Sequence, residues 1–295
     1  MTMSQNDVQH YAVFTRSARK VVLSGTETEQ EAQEAETQEI IIPRPPTFKD
    51  VHQQRVHLKQ RLAIGFRLLA KYGWDEGVAG HATVRDPEYP DLFWVNRLGQ
   101  HFGTIKASDL VLLDHEGNIV RGNRLVNKAA FMIHGAVHQA RPDAVCAVHT
   151  HSIYGKTFSS LGRPLLPITQ DACAFYDDHS VYDQFGGVVF DADESHRLVT
   201  CLGPRHKAII LQNHGLLTIG DTIEAAFWWF VAMERSCHSQ LLAEAASVNG
   251  VHDLKVIPDE IARATAKDVG TSRAGFAQAM PMFDIVAREN PECLL

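Results

Sequence analysis

Ala144-Val145-Cys146-Ala147-Val148-His149-Thr150-His151 is the stretch around which the rest of the chain can be read. An apolar run passes directly into two histidines separated by one threonine. Read as a strand, it sends His149 and His151 to the same face of a sheet, because side-chain direction repeats every two residues. Two imidazoles about 7 Å apart along a strand can converge on one divalent ion when a third ligand arrives from another element. Lys207-Ala208-Ile209-Ile210-Leu211-Gln212-Asn213-His214-Gly215 offers that ligand: a second apolar strand ends in a histidine, and Gly215 releases the chain into a turn. A lone His-x-His also arises by chance, so spacing alone leaves a metal site and a coincidence both open.

Bulk properties narrow the classes. The 295 residues suffice for one large domain or two small ones, and 45% hydrophobic with 21% charged content is ordinary for a soluble globular protein. No stretch approaches the ~18 consecutive apolar residues of a membrane span, so no membrane partner is expected. A net charge of -7 without a Lys/Arg cluster argues against nucleic acid. Cys146, Cys173, Cys201, Cys237 and Cys293 are odd in number and form no C-x-x-C pair, which fits a reducing compartment. The start, Met1-Thr2-Met3-Ser4-Gln5, has neither a basic region nor an apolar core, and a cytoplasmic location is expected.

Residues 1–45 read as an N-terminal arm, flexible or embracing a neighbouring subunit, because Thr26 to Glu39 is acidic, Gln- and Ala-rich and nearly devoid of apolar residues. Residues 46–295 read as the folded domain. Leu58, Leu62, Phe66 and Leu69 stripe a helix over 49–72 that Gly73 stops. Gly77 and Gly80 form a loop feeding a strand at His81. Leu92–Asn96, Leu110–Leu113 and Ile119-Val120 read as strands joined by turns, which favours an antiparallel or mixed sheet. His101–Asp109 between them is polar enough to line a cleft. A helix over 127–139 carries His134 and His138 four apart, read as surface or interface histidines because no zincin-like glutamate lies between them. Gly186–Phe190 reads as an edge strand and Asp191–Leu202 as a helix. The run Phe227-Trp228-Trp229-Phe230 lies on a long helix over 222–246 and reads as core or interface. A last helix spans 258–267, followed by a less regular segment around 270–276.

Several landmarks, taken in order, resemble the class II aldolase/adducin superfamily: Gly73-Trp74-x-x-Gly77-x-x-Gly80-His81 with Arg85, Ala107-Ser108-Asp109-Leu110, Arg141-Pro142-Asp143 leading to His149-x-His151, and Asn213-His214-Gly215. The resemblance spans about residues 50 to 250. It implies an α/β fold, a three-layer α/β/α domain with a central, mostly antiparallel sheet. It also implies a homotetramer with sites between subunits, and a divalent ion on His149, His151 and His214. Zinc is the first choice, with iron, manganese, cobalt or nickel as alternatives. The chain also departs from the sugar-phosphate aldolases of that family. Where they place an acidic ligand and acid–base, nineteen positions before the first strand histidine, Ala130 stands here. Their two phosphate-binding serines correspond to Lys128 and Ala129, their loop asparagine to His81, and their second phosphate loop to Ser108-Asp109. The expectation is therefore a divergent member without the acidic residue and without the phosphate site.

What this pattern implies is a metal-dependent carbon–carbon lyase acting on a hydroxy- or keto-carboxylic acid, a decarboxylase ahead of an aldolase, working through a metal-stabilised enolate or phenolate. His81, Tyr154 and Asp109 are the acid–base candidates, with His81 first because it lies on the glycine loop. Lys128, Ser108, His101 and Asn213 are candidate substrate contacts. Two alternatives stay open: a non-heme iron oxygenase performing oxidative decarboxylation, and a non-enzymatic adducin-like interaction domain.

Overall fold

A computed structural model describes residues 11–14, 40–123, 125–187 and 192–295. Contacts divide the chain into residues 1–47 and residues 48–295. In the first unit, β1 (Tyr11–Phe14) pairs antiparallel with β2 (Ile40–Pro43), Tyr11 opposite Pro43. The acidic run between them lies outside the described residues.

The second unit is built on one sheet. α1 (Val51–Lys71) starts at an Asp50 cap, whose carboxylate accepts from the His52 amide, and ends before Gly73 in the left-handed region. Then come β3 (His81–Arg85), β4 (Phe93–Val95), β5 (Val111–Leu113), β6 (Ile119–Arg121) and α2 (Lys128–Ala140). β7 (Cys146–Thr150), α3 (Ile153–Ser159), β8 (His179–Tyr182) and α4 (Ala192–Leu202) follow. The chain closes with β9 (Ala208–Leu211), β10 (Gly215–Gly220), α5 (Ile223–Ala246), α6 (Asp259–Val269) and α7 (Ser272–Glu289). The strand order is β6-β5-β4-β3-β7-β10-β9-β8, antiparallel throughout except for the parallel pair β8–β9.

The period of two along each strand sorts side chains into two layers. Ala82 and Val84 of β3, Cys146 and Val148 of β7, and Leu216 of β10 join the core beneath α1, α5 and α7, with Phe227, Trp229, Phe230 and Phe283. Ala147 of β7 with Leu217 and Ile219 of β10 join the opposite core, against Ile133 and Val137 of α2 and Leu198 and Leu202 of α4. Helices on both faces make a three-layer α/β/α domain with a mixed, mostly antiparallel sheet, the fold that the family resemblance implies.

Several elements differ from the sequence reading. The strand at the β9 edge of the described sheet is β8, which no alternating pattern announced. Gly186 and Gly187 lie outside any strand, and residues 188–190 are not among those described. The segment around 270–276 is not irregular: Thr271 accepts from the Ala274 amide and starts α7, which packs on α5 through Ala279 and Phe283. Its glycine and Pro281 hide the helical period. His134 and His138 are not surface histidines; both are fully buried against β3, because the polar groups of that strand supply their partners.

Asp86, just past β3, ties α1 to the β3–β4 turn. Its buried carboxylate accepts from Arg55 (2.7 and 2.8 Å), from the Trp94 indole (2.8 Å) and from the Glu88 and Tyr89 amides. Burial pushes its pKa up, but these donors together outweigh burial and hold it down at about 2. A carboxylate depressed in the folded state contributes stability above its unfolded value, and that contribution is lost as pH falls through the folded pKa. The stability difference between wild type and Asp86→Asn should therefore shrink by about 2 kcal/mol between about pH 5 and pH 2 in paired denaturant titrations. A pH-independent difference would contradict this account.

Candidate metal centre

His149 leaves β7 on the face covered by α2 and α4, the same parity as Ala147. Two neighbouring strands complete its surroundings. β3 sets His81 directly opposite His149 in register, and β10 sets Leu217 opposite it on the other side. β9 and β10 are joined through Gln212, Asn213 and His214, and Asn213 adopts φ 58°, a left-handed conformation that asparagine tolerates better than most residues. That turn carries His214 back over the end of β7. The ring centroids of His149 and His214 are 4.7 Å apart, those of His149 and His151 5.2 Å, and those of His151 and His214 4.9 Å.

One nitrogen from each of the three rings lies within 4.8 Å of the others, so the cluster has the donor set and the closeness that a divalent ion needs. His149 Nδ1 donates to the Leu216 carbonyl at 2.8 Å, which fixes its tautomer and leaves Nε2 with a free lone pair. Burial, reinforced by the neighbouring imidazoles, lowers the pKa of His149 far below that of a free histidine. Burial and His151 bring His214 down to about 4, and burial also lowers His151. Neutral imidazoles are the form that binds metal.

The cluster opens into a cavity of about 580 Å³, lined also by His81, the Gly80 loop, Asn127, Lys156, Phe185 and Asn213. Gly80 has φ +92°, and a Cβ there would lie 3.2 Å from the His149 carbonyl. The loop can therefore cross β7 only as glycine.

Of the sequence candidates, the structure brings His81, His149, His151, Asn213 and His214 to one cavity. The others are engaged elsewhere. The Tyr154 ring stacks on His238 at 3.4 Å. Asp109 accepts from Gln100 and from the Lys106 amide, closing a turn. The Ser108 amide donates to the Leu295 carbonyl, and exposed His101 faces Asp75 at 2.9 Å. Lys128 is exposed at the first residue of α2, and Ala130 packs with Phe93, Val95, Val111 and Leu113. Thus the polar stretch 101–109 forms turns rather than a cleft wall. Sequence reasoning missed Lys156, whose ammonium reaches both oxygens of Glu76 at 2.6 Å. Its position one turn into the helix after His151 was the available signal. Phe185 and Asn127 carried none.

A family profile described as Class II Aldolase and Adducin N-terminal domain matches residues 60–241. "Decarboxylase NovR" of Streptomyces niveus is 42% identical over 84% of this chain and 91% of its own length. A 4-hydroxy-3-prenylphenylpyruvate oxygenase/4-hydroxy-3-prenylbenzoate synthase of Streptomyces roseochromogenus subsp. oscitans is 42% identical over 84% of this chain and 88% of its own. Among solved structures, L-fuculose 1-phosphate aldolase from Glaciozyma antarctica PI12 superposes with a TM-score of 0.77 at 44% identity, covering 84% of this chain and 96% of that one. These findings correct the expectation of a divergent member defined by losses. Within the family fold the three-histidine cluster is present and whole, because the β7 register and the β9–β10 turn assemble it.

The cluster generates a direct test. Purified protein should carry about one divalent ion per chain, and His151→Ala and His214→Ala should each reduce that content towards zero by elemental analysis. Added zinc should raise the melting temperature of the wild type but not of either variant. Unchanged metal content in both variants would exclude the cluster as the binding site. The sheet order, the imidazole cluster and the relatives converge on a metal-dependent enzyme: the chain belongs to the class II aldolase and adducin family.

Proposed function

We propose that the protein is a metal-dependent carbon–carbon lyase that decarboxylates a hydroxy- or keto-carboxylic acid, with His149, His151 and His214 holding a divalent ion. The observation that carries this reading is the shared cavity: three neutral imidazoles, a fourth histidine and a lysine all border one space. A bound ion there supplies Lewis-acid charge where negative charge develops on a substrate oxygen. Lys156, oriented by Glu76, keeps one further N–H for the substrate carboxylate. Phe185 gives the cavity an apolar wall, and Asn213 offers an amide to a polar substituent. As the carbon–carboxylate bond breaks, carbon dioxide leaves and the electron pair stays on the remaining fragment as an enolate or phenolate. One proton, taken from water and passed through His81, restores the C–H bond. The name of the first Streptomyces relative supports decarboxylation, and the intact cluster argues against a purely adducin-like interaction domain.

The name of the second relative favours an alternative, an iron-dependent oxidative decarboxylation at the same cavity. In that chemistry dioxygen is the oxidant and is consumed along with the carboxylate. Zinc is the ion proposed for the lyase and iron for the oxygenase.

Incubation of metal-loaded protein with a panel of aromatic and aliphatic hydroxy- and keto-acids separates the two. Carbon dioxide release under strict anaerobiosis supports the lyase. Release only with stoichiometric oxygen uptake supports the oxygenase, and aldehyde release without carbon dioxide would replace both with aldol cleavage. Lys156→Met should raise KM for the acid about tenfold or more with a smaller effect on kcat. The family also implies a homotetramer, which light scattering on eluted protein should show as about four times the 32.8 kDa chain mass.

A further inference from the structure

Behind His81 runs a chain of buried polar groups that the proposed reaction does not itself use. His81 Nδ1 lies 2.9 Å from His134 Nε2, and His134 Nδ1 lies 2.8 Å from Thr83 Oγ1. Thr83 Oγ1 also lies 2.8 Å from His138 Nε2, and His138 Nδ1 lies 3.1 Å from the Ala144 carbonyl. All four side chains are buried, so each contact has to be a made hydrogen bond.

The direction of every bond follows from the far end. A backbone carbonyl only accepts, so His138 Nδ1 carries a proton and donates. A neutral His138 then has a bare Nε2, which must accept from the Thr83 hydroxyl. That hydroxyl has one proton, so its oxygen must accept from His134 Nδ1–H. His134 in turn has a bare Nε2 and must accept from His81 Nδ1–H. Burial lowers the pKa of His138 to about 3 and holds that of His134 well below the free value, so both rings are neutral.

We propose that Thr83, His134 and His138 are positioning residues that lock the proton of His81 onto Nδ1, so that His81 presents an unprotonated Nε2 to the cavity as a hydrogen-bond acceptor. The recognised group is then a donor, namely the O–H of a hydroxy acid or phenol, or a water, lying beside the oxygens that face the three-histidine cluster. Within the lyase reading, on which the functional consequence rests, this selects hydroxylated acids over simple keto acids. The Ala144 carbonyl ends the chain, so it orients the imidazole and does not conduct protons to solvent.

The test is the tautomer itself. In ¹⁵N-histidine-labelled, zinc-loaded protein, long-range ¹H–¹⁵N spectra assigned with His81→Gln and His134→Gln should show the Nδ1–H pattern for both histidines. Thr83→Val removes the hydroxyl that polarises the chain while keeping its shape, and should shift the His81 signals towards the Nε2–H pattern. Thr83→Ser should restore the wild-type pattern. An Nε2–H His81 in the wild type, or a His81 signal that Thr83→Val leaves untouched, overturns the assignment. Because the wild-type spectrum is decisive alone, poor folding of a variant does not blunt the test. The readout is also independent of turnover: a correct tautomer without carbon dioxide release removes the lyase reading alone, and the reverse removes only this one.

Discussion

The backbone pairing of β7 with β3 on one side and β10 on the other is the constraint on which the site depends. A strand has a strict side-chain period of two, so a slip of one residue would exchange the two faces of the sheet. With His81 opposite His149, and Leu217 opposite His149 on the other side, the apolar residues of all three strands fall into the two helix-covered cores. Burial of Cys146 and Val148 beneath α5 and of Ala147 beneath α2 therefore holds the register that also aims the imidazole of His149. Core and site are not separate layers here.

The same parity accounts for an otherwise costly feature. His134, His138 and Thr83 are polar groups on the α2 side of the sheet, where desolvation without partners would be strongly unfavourable. They satisfy one another in a row that begins at His81 and ends on a main-chain carbonyl. A network of this kind is tolerable only when complete. Its completeness converts a buried polar stripe into a rigid support for one imidazole at the cavity wall.

Glu234 plays a comparable role beneath α3. Buried on α5, it accepts from the Ser152 hydroxyl (2.6 Å) and from the Tyr154 and Gly155 amides (2.9 and 2.6 Å). A carboxylate there also meets the positive end of the short helix. It thereby fixes the chain immediately after His151 and, one turn on, the position of Lys156. The tyrosine that sequence analysis placed among the acid–base candidates belongs to this support and stacks on His238.

Much of the frame was readable in the residues. Apolar runs ending in histidine announced β7 and β9, glycines marked the loop before β3 and the end of α1, and the family pattern supplied the layered architecture. These are local signals: periodicity, turn chemistry and motif order all act over a few residues. Which side chains meet was a different matter. His101, Ser108 and Asp109 look as suited to a cleft as His81 does, and Lys128 as suited to an anion as Lys156. Only strand order and register put His81 at the cavity, and only the anchoring of α3 by Glu234 put Lys156 there, while the others were left in turns or on the surface. His134 and His138 read as surface or interface histidines because helical spacing says where two side chains lie relative to each other, not what lies across from them. The sequence by itself determined the strands that end in histidine, those histidines and the family pattern. The tertiary structure alone decided which imidazoles share a space and which are joined by hydrogen bonds, because those relations join residues distant along the chain.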